Sequence, residues 1–343
     1  MHFVLPCALI MEETPLQRGW KRMEHIRRAL TQRRNELKGL AILWVVLFHM
    51  QLGEGGLLYQ VQRIGYGGVD IFFFLSGFGL YASLNRQPQL GGYLKRRAKR
   101  LLPAYLPFCA LWLAVMIPLR RMGLGEAVKT IAGNGLMLGY FWNAPLMINW
   151  YVSALAASIL LAPLLVWLLR RFPKAWPLWL ALCFELGVLT LGQNQMMALS
   201  RLPVFFLGMV FASPALDRIR KPVLMALSIA GFLLGLGLLE ICLHHYPDTL
   251  VAYGTYWYPF ALIAPTLCAG LALLMEKAPA LRPLQALGEA SFEIFLWNVW
   301  LEWLFKKQWQ VQSPLWWLLG GLVSVGLGLG YHALVKKLER RRT

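Results

Sequence analysis

Two ionisable side chains lie inside apolar segments of this 343-residue chain, where they could do chemistry. His49 ends the run KGLAILWVVLFH, and Asp70 lies in the following run GYGGVDIFFFLSGFG. An imidazole can take up a proton near neutral pH, and a neighbouring carboxylate can orient it and stabilise its charged form. Ionisable groups within membrane spans are costly and face a bundle interior or a water-filled path, which favours a functional pair. The alternative is structural, since a buried histidine can simply hydrogen-bond a neighbouring carbonyl.

Basic side chains form a second group with chemical potential. Arg97 and Arg100 fall three apart in GGYLKRRAKRLLPAYL and share one face of a helix that Pro103 would bend. Guanidinium forks match phosphate oxygens bidentately. The alternative is that this basic segment only marks the cytoplasmic end of a span. Lys38 lies 11 residues before His49, so the two are separated by roughly 16 Å along a helix.

The segment LGEASFEIFLWN adds further polar groups to an apolar run. Glu289 is expected at the interface, whereas Glu293 lies deeper and would be costly unless it is protonated or paired. The residues offer no partner for Glu293. Trp150, at the start of WYVSAL, is expected to anchor a helix at the outer surface.

No metal site is predicted. His244 and His245 are adjacent and cannot share one helix face. The cysteines are odd in number, widely scattered and without a C-x-x-C spacing, which indicates small buried side chains rather than a disulfide framework.

The composition indicates an all-α, polytopic transmembrane helix bundle. Hydrophobic residues make up 58% of the chain and charged residues 15%, which is typical of membrane proteins. We predict about ten spans, with both termini cytoplasmic: 39–58, 67–84, 101–119, 150–169, 175–193, 200–215, 222–243, 257–275, 285–305 and 314–335. Lys and Arg favour the inner segments by about four to one, which supports this orientation. The net charge of +18 therefore needs no nucleic-acid partner and favours contact with anionic membrane lipid.

The chain divides into three predicted regions. Residues 1–37 form a basic, amphipathic N-terminal segment on the cytoplasmic face, with a start at Met11 or Met23 equally open. Residues 38–335 form the transmembrane domain, in which 120–149 is a surface or re-entrant stretch. Residues 336–343 form a basic cytoplasmic tail.

With these segments in view, the sequence resembles acyltransferase family 3, a family of integral membrane O-acyltransferases. The resemblance covers about residues 34–335 and is carried by six segments in order, which are NELKGLAILWVVLFH, GGVDIFFFLSGF, YLKRRAKRLLPAY, WYVSAL, RLPVFFLGM and LGEASFEIFLWN. It implies a multi-pass enzyme of the cell inner membrane that moves an acyl group, commonly acetyl from acetyl-CoA, to a carbohydrate.

The resemblance also implies roles for individual residues. His49 and Asp70 match the catalytic histidine and the acid of the family's GVDxFF segment, and Arg97 and Arg100 match its donor-handling RxxR pair. This chain has Lys38 where the family usually has Arg, so a point charge replaces the planar fork that would bind phosphate bidentately. It has Asn298 where the family often has His, and it lacks a Glu that many members carry after the tryptophan of the WYVSAL segment.

These features together predict transfer from cytoplasmic acyl-CoA to a hydroxyl of a cell-surface or lipid-linked carbohydrate. His49 is the expected general base, oriented by Asp70, and a covalent acyl-histidine is the alternative chemistry. Acyl-CoA is a co-substrate, and no permanently bound cofactor is expected. The predicted donor-binding residues are Lys38, Arg97 and Arg100, and the predicted substrate-binding residues are Trp150, Glu293 and Asn298. The rival interpretations are a transporter or flippase of an acylated or glycan intermediate and, more weakly, an inactive scaffold.

Overall fold

The computed structural model describes residues 15–53, 55–190, 195–245 and 258–341, with side chains from Met23 onward. Within these ranges every regular element is helical. The α-helices are α1 (Pro15–Gln32), α2 (Arg34–His49), α3 (Gly56–Arg63), α4 (Gly67–Arg86), α5 (Leu90–Leu119), α6 (Leu124–Gly135), α7 (Trp150–Arg171), α8 (Trp176–Val188), α9 (Met196–Leu199), α10 (Leu202–Ala212), α11 (Lys221–His245), α12 (Pro259–Glu276), α13 (Arg282–Glu289), α14 (Ser291–Trp303) and α15 (Pro314–Arg340).

Six of these helices, α4, α5, α7, α11, α12 and α15, are long and apolar enough to cross a membrane. They correspond to six of the ten predicted spans, so the chain is a polytopic helical membrane protein. The other four predicted spans fall on shorter helices, namely α2, α8, α10 and the pair α13 and α14. The count of about ten and the cytoplasmic termini therefore stay predictions. Residues 191–193, part of one predicted span, and the aromatic segment 251–257 lie outside the described residues.

The predicted regional boundaries do not coincide with helix ends. α2 begins at Arg34, inside the predicted N-terminal segment, and α15 runs to Arg340, inside the predicted tail. The predicted surface stretch 120–149 contains α6 and a short 3₁₀ turn at Gly139–Trp142.

The centre of the bundle is α4, whose side chains from Phe73 to Leu75 are fully buried. α4 packs against α2, α7, α10 and α12. Its contact with α10 depends on two glycines, because a methyl group on Gly77 or Gly208 would overlap a backbone carbonyl of the other helix. Such close approach of backbones is common where small residues meet between membrane helices.

A second pair of glycines brings α13 against the first half of α2. A methyl group on Gly39 would overlap the carbonyl of Leu284, and one on Gly288 would overlap the carbonyl of Asn35. Since α14 follows α13 directly, this contact places α14 beside α2. The two helices can therefore share side-chain contacts although they are far apart in the sequence.

Helix α1 is held at one end of the bundle by Arg27. Its guanidinium donates hydrogen bonds of 3.1 and 2.8 Å to the carboxylate of Asp217, and one of 2.8 Å to the carbonyl of Phe211. The basic N-terminal helix is therefore packed on the bundle.

Candidate functional site

Two large cavities open into the helix bundle. The basic cavity, of about 1020 Å³, is lined by residues that include Arg34, Arg96, Arg97, Lys99, Arg100, Tyr151, Glu293 and His332. The histidine cavity, of about 830 Å³, is lined by residues that include His49, Tyr59, Arg63, Trp150, Arg201, Glu302 and Lys306. Helix α2 contributes its first residues to the basic cavity and its last residues to the histidine cavity, so the two cavities lie at opposite ends of this helix.

His49 ends α2, and each of its ring nitrogens has a polar neighbour. Nδ1 lies 2.8 Å from the carbonyl oxygen of Val45. Because a carbonyl oxygen can only accept a hydrogen bond, Nδ1 must carry the hydrogen, and in the neutral ring Nε2 is then the basic nitrogen. Nε2 lies 3.4 Å from an Oε atom of Glu302. The ring lines the histidine cavity and is 13% exposed.

Glu302 is the carboxylate that the structure brings to His49. Its other carboxylate oxygen accepts a hydrogen bond of 2.7 Å from the ammonium group of Lys306, one helical turn further on. Sequence reasoning missed Glu302, although it is a carboxylate near the end of the apolar run that also carries Glu293. A charged side chain in such a run carries a high free-energy cost, and this was the signal that could have identified Glu302.

Asp70 has a different partner from the one predicted. The carboxylate of Asp70 is buried and lies 3.5 Å from Nε of Arg201, which is also buried. The predicted pairing of Asp70 with His49 is therefore not the arrangement of the described residues, because the packing of α4 against α10 brings Arg201 to Asp70 instead. A catalytic role for Asp70 stays a prediction.

Trp150 lies at the start of α7 and lines the histidine cavity. The side chain of Asn149 caps this helix by accepting a hydrogen bond of 2.7 Å from the backbone N–H of Tyr151. The guanidinium of Arg201 lies 5.8 Å from the centre of the Trp150 ring, within cation–π distance. The cap and this contact hold the indole at the cavity wall.

Arg97 and Arg100 both line the basic cavity from α5, as their spacing of three residues predicts. Arg97 donates a hydrogen bond of 3.3 Å to Oγ of Ser83 and lies over the ring of Tyr93. Arg34 joins them from the start of α2 and was not predicted. With no carboxylate paired to Arg97 in the described part of the chain, this group can bind an anion.

Lys38 is buried on α2 and is not among the residues that line either cavity. Its predicted part in donor binding stays a prediction.

Glu293 has a partner that sequence reasoning could not name. Nδ1 of His332, on α15, lies 2.8 Å from an Oε atom of Glu293, and both residues line the basic cavity. Asn298 is buried, lines neither cavity, and donates a hydrogen bond of 3.4 Å to Oγ of Ser324. Of the three predicted substrate-binding residues, Trp150 therefore lines one cavity, Glu293 lines the other, and Asn298 lies in the packed helix interface.

No group of three or more His, Cys, Asp or Glu side chains within the described ranges could hold a metal ion. His244 pairs with Glu240 of its own helix at 2.7 Å.

One family model, described as an acyltransferase domain, matches residues 35–332 of the chain. The match runs from α2 into α15. It contains every lining residue of the histidine cavity and most of those of the basic cavity. The comparison with curated proteins and the comparison with solved structures find no match.

Proposed function

We infer, because this chain belongs to acyltransferase family 3, that it transfers an acetyl group from acetyl-CoA to a hydroxyl of a carbohydrate, with His49 as the general base. Membership of the family implies an acyltransferase enzyme with a donor and an acceptor. The identities of the donor and the acceptor, and the residue roles below, are part of the proposal. The acceptor is a cell-surface or lipid-linked carbohydrate of the inner membrane.

The observation that carries the proposal is the position of the His49 ring. Its Nδ1 is engaged by a backbone carbonyl, which leaves Nε2 as the basic nitrogen, and the residue lines a cavity of about 830 Å³. A cavity of this size suits a small ligand, and its polar and aromatic lining suits a sugar. A positioned imidazole base contributes about 10²–10⁴-fold to rate.

In the reaction, a carbohydrate hydroxyl attacks the thioester. Its oxygen forms a bond to the carbonyl carbon, and Nε2 of His49 takes the hydroxyl proton. The C–S bond breaks, and the departing sulfur takes the proton back from Nε2, so that CoA leaves as the thiol and the ring is neutral again. Proton transfer of this kind is needed because a sugar hydroxyl has a very high pKa.

The carboxylate of Glu302 stabilises the imidazolium that forms during transfer. It lies 3.4 Å from Nε2, so it attracts the positive charge at the moment when the ring takes the proton. The sequence predicts this stabilising role for Asp70. We propose that Asp70 acts one step away, by fixing Arg201 at the wall of the histidine cavity.

The basic cavity is the proposed site of the nucleotide end of the donor. The nucleotide end of CoA carries several negative charges, and its phosphates suit the guanidinium groups of Arg34, Arg97 and Arg100. The predicted orientation puts this cavity on the cytoplasmic side, where acyl-CoA is made. The pantetheine arm would then carry the thioester towards His49.

The test is the release of CoA by the purified full-length protein in lipid nanodiscs, with acetyl-CoA and washed cell-envelope material as the source of acceptor. His49→Gln keeps a polar side chain of similar size, and we expect it to lower the rate of release by at least about a hundredfold. His244→Gln is the matched control, because His244 is an exposed imidazole that lines neither cavity.

Three results would contradict the proposal. Full activity of the His49→Gln protein would exclude His49 as the base. An equal loss in the His244→Gln protein would show that the effect is not specific to the site. No release of CoA by the unaltered protein is the result that a transporter or an inactive scaffold predicts.

A further inference from the structure

Along the chain, the linings of the two cavities come closest at the start of α7. Trp150 lines the histidine cavity, and the next residue, Tyr151, lines the basic cavity. On α14, Glu293 lines the basic cavity and Phe295 lines the histidine cavity. At this point the wall between the cavities is therefore formed by neighbouring residues of α7 and α14.

Elsewhere the wall is much thicker. On α2, Asn35 lines the basic cavity and the nearest residue of the histidine cavity is Val45, a separation of about 15 Å along the helix. On α4, Ser76 and Val69 line the two cavities, about 10 Å apart. A route between the cavities would be shortest at α7 and α14.

Aromatic side chains close this short route. The ring centres of Tyr151 and Phe295 are 4.6 Å apart, and Phe73 packs on Tyr151 with a centre-to-centre distance of 5.5 Å. Tyr151 and Phe295 are 7% and 3% exposed. The rings are in contact, and the two cavity linings share no residue within the described ranges.

This closure matters if the donor enters as proposed above. A thioester that starts in the basic cavity has to pass the contact between Tyr151 and Phe295 to reach Nε2 of His49. Rotation of the two packed rings would open only a narrow gap, and each added methylene of the acyl group would need more space in that gap. In packed pockets one methylene commonly changes discrimination by about 10–200-fold.

We propose that Tyr151 and Phe295 form the constriction that the acyl group passes, and that this pair restricts transfer to short acyl groups. The proposal rests on the proposed function, since it needs a thioester that crosses from one cavity to the other. It assigns acyl-length specificity to two residues that, within the described part of the chain, make neither a ring contact nor a hydrogen bond to His49.

The experiment compares butanoyl-CoA with acetyl-CoA in nanodiscs that hold the full-length protein, with washed cell-envelope material as acceptor. The quantity measured is the ratio of kcat/KM for butanoyl-CoA to kcat/KM for acetyl-CoA. Each rate is measured as release of CoA. This ratio cancels differences in the amount of folded protein. We expect Phe295→Leu and Tyr151→Leu each to raise the butanoyl-to-acetyl ratio by about tenfold or more.

Two further variants sharpen the result. Tyr151→Phe keeps the ring and should leave the ratio unchanged, whereas Phe295→Trp enlarges the ring and should lower it. Phe206→Leu is the matched control, because Phe206 is a fully buried aromatic residue of α10 that lines neither cavity.

The outcomes distinguish failure of the constriction from failure of the proposed function. An unchanged ratio in both leucine variants, with acetyl transfer retained, overturns the constriction and leaves the proposed function standing. A ratio that rises equally in Phe206→Leu also overturns it, because the effect would then follow from loosened packing. If the leucine variants do not fold, Phe295→Trp decides, and an unchanged ratio there overturns the proposal. Absence of CoA release from the unaltered protein overturns the proposed function and the constriction together.

Discussion

Replacing Glu302 by glutamine tests the electrostatic part of the mechanism. The substitution keeps the shape of the side chain and removes its charge. At an effective dielectric constant of about 20, opposite unit charges at the 3.4 Å between Glu302 and His49 attract by about 5 kcal/mol. The actual attraction is weaker than this, because both side chains are partly exposed and Lys306 lies 2.7 Å from the same carboxylate. A charge-assisted hydrogen bond commonly contributes about 1.5–3 kcal/mol.

A loss of about 1.5–3 kcal/mol from the transition state lowers kcat by roughly 10- to 150-fold. We expect the KM for acetyl-CoA to change little, because Glu302 lines the histidine cavity and not the basic cavity. The assay is steady-state release of CoA by the protein in nanodiscs. Glu302→Asp should recover part of the rate, since it restores the charge on a shorter side chain.

Glu240→Gln is the matched control for this prediction. Glu240 pairs with His244 at 2.7 Å, so the same substitution there also removes the carboxylate of a histidine–glutamate pair, but outside both cavities. An unchanged kcat in Glu302→Gln would refute the role given to Glu302. A fall in kcat that Glu240→Gln shares would show that the loss is not specific to the site.

Three further substitutions test the donor site and the packing that supports both cavities. Arg100→Ala should raise the KM for acetyl-CoA by about tenfold or more through loss of a charged hydrogen bond to phosphate. Arg171→Ala is the control, and an equal rise in KM there would contradict the donor-binding role of Arg100. Gly288→Ala should lower the free energy of unfolding by about 1–3 kcal/mol, because its methyl group overlaps the backbone of α2. Gly326→Ala, which has open space, should not lower the unfolding temperature. Glu293→Ala should lower the free energy of unfolding by about 0.5–1.5 kcal/mol, because the half-buried imidazole of its partner loses a hydrogen bond. An unchanged unfolding temperature would contradict this.

Much of the membrane architecture could be predicted because it depends on local sequence. Runs of apolar residues long enough to span a membrane are visible in the chain itself, and six of the predicted spans correspond to long apolar helices. The four others were harder to delimit, since helices such as α2 and α8 end or begin at turns that hydropathy does not mark. The family was recognisable from six ordered segments, and the match to residues 35–332 confirms it.

Some residues of the candidate site could be predicted from the sequence, whereas Glu302, Arg34 and the partner of each residue could not. A histidine or an arginine in an unusual setting stands out in a sequence, as His49 and Arg97 do. The partner of each depends on which helices pack together. The prediction paired His49 with Asp70 of the neighbouring segment, whereas the contact of α2 with α14 brings it to Glu302.

The sequence by itself determined the class of this protein, its family and some of the residues able to do chemistry, because hydropathy, motif order and side-chain type are local properties. Only the tertiary structure decided which carboxylate meets the imidazole, since that depends on close packing between segments far apart in the chain. The tertiary structure also decided that the basic cavity and the histidine cavity are separate. Tyr151 lines the basic cavity and Phe295 lines the histidine cavity, and their rings are in contact. No pattern in either segment predicts that contact.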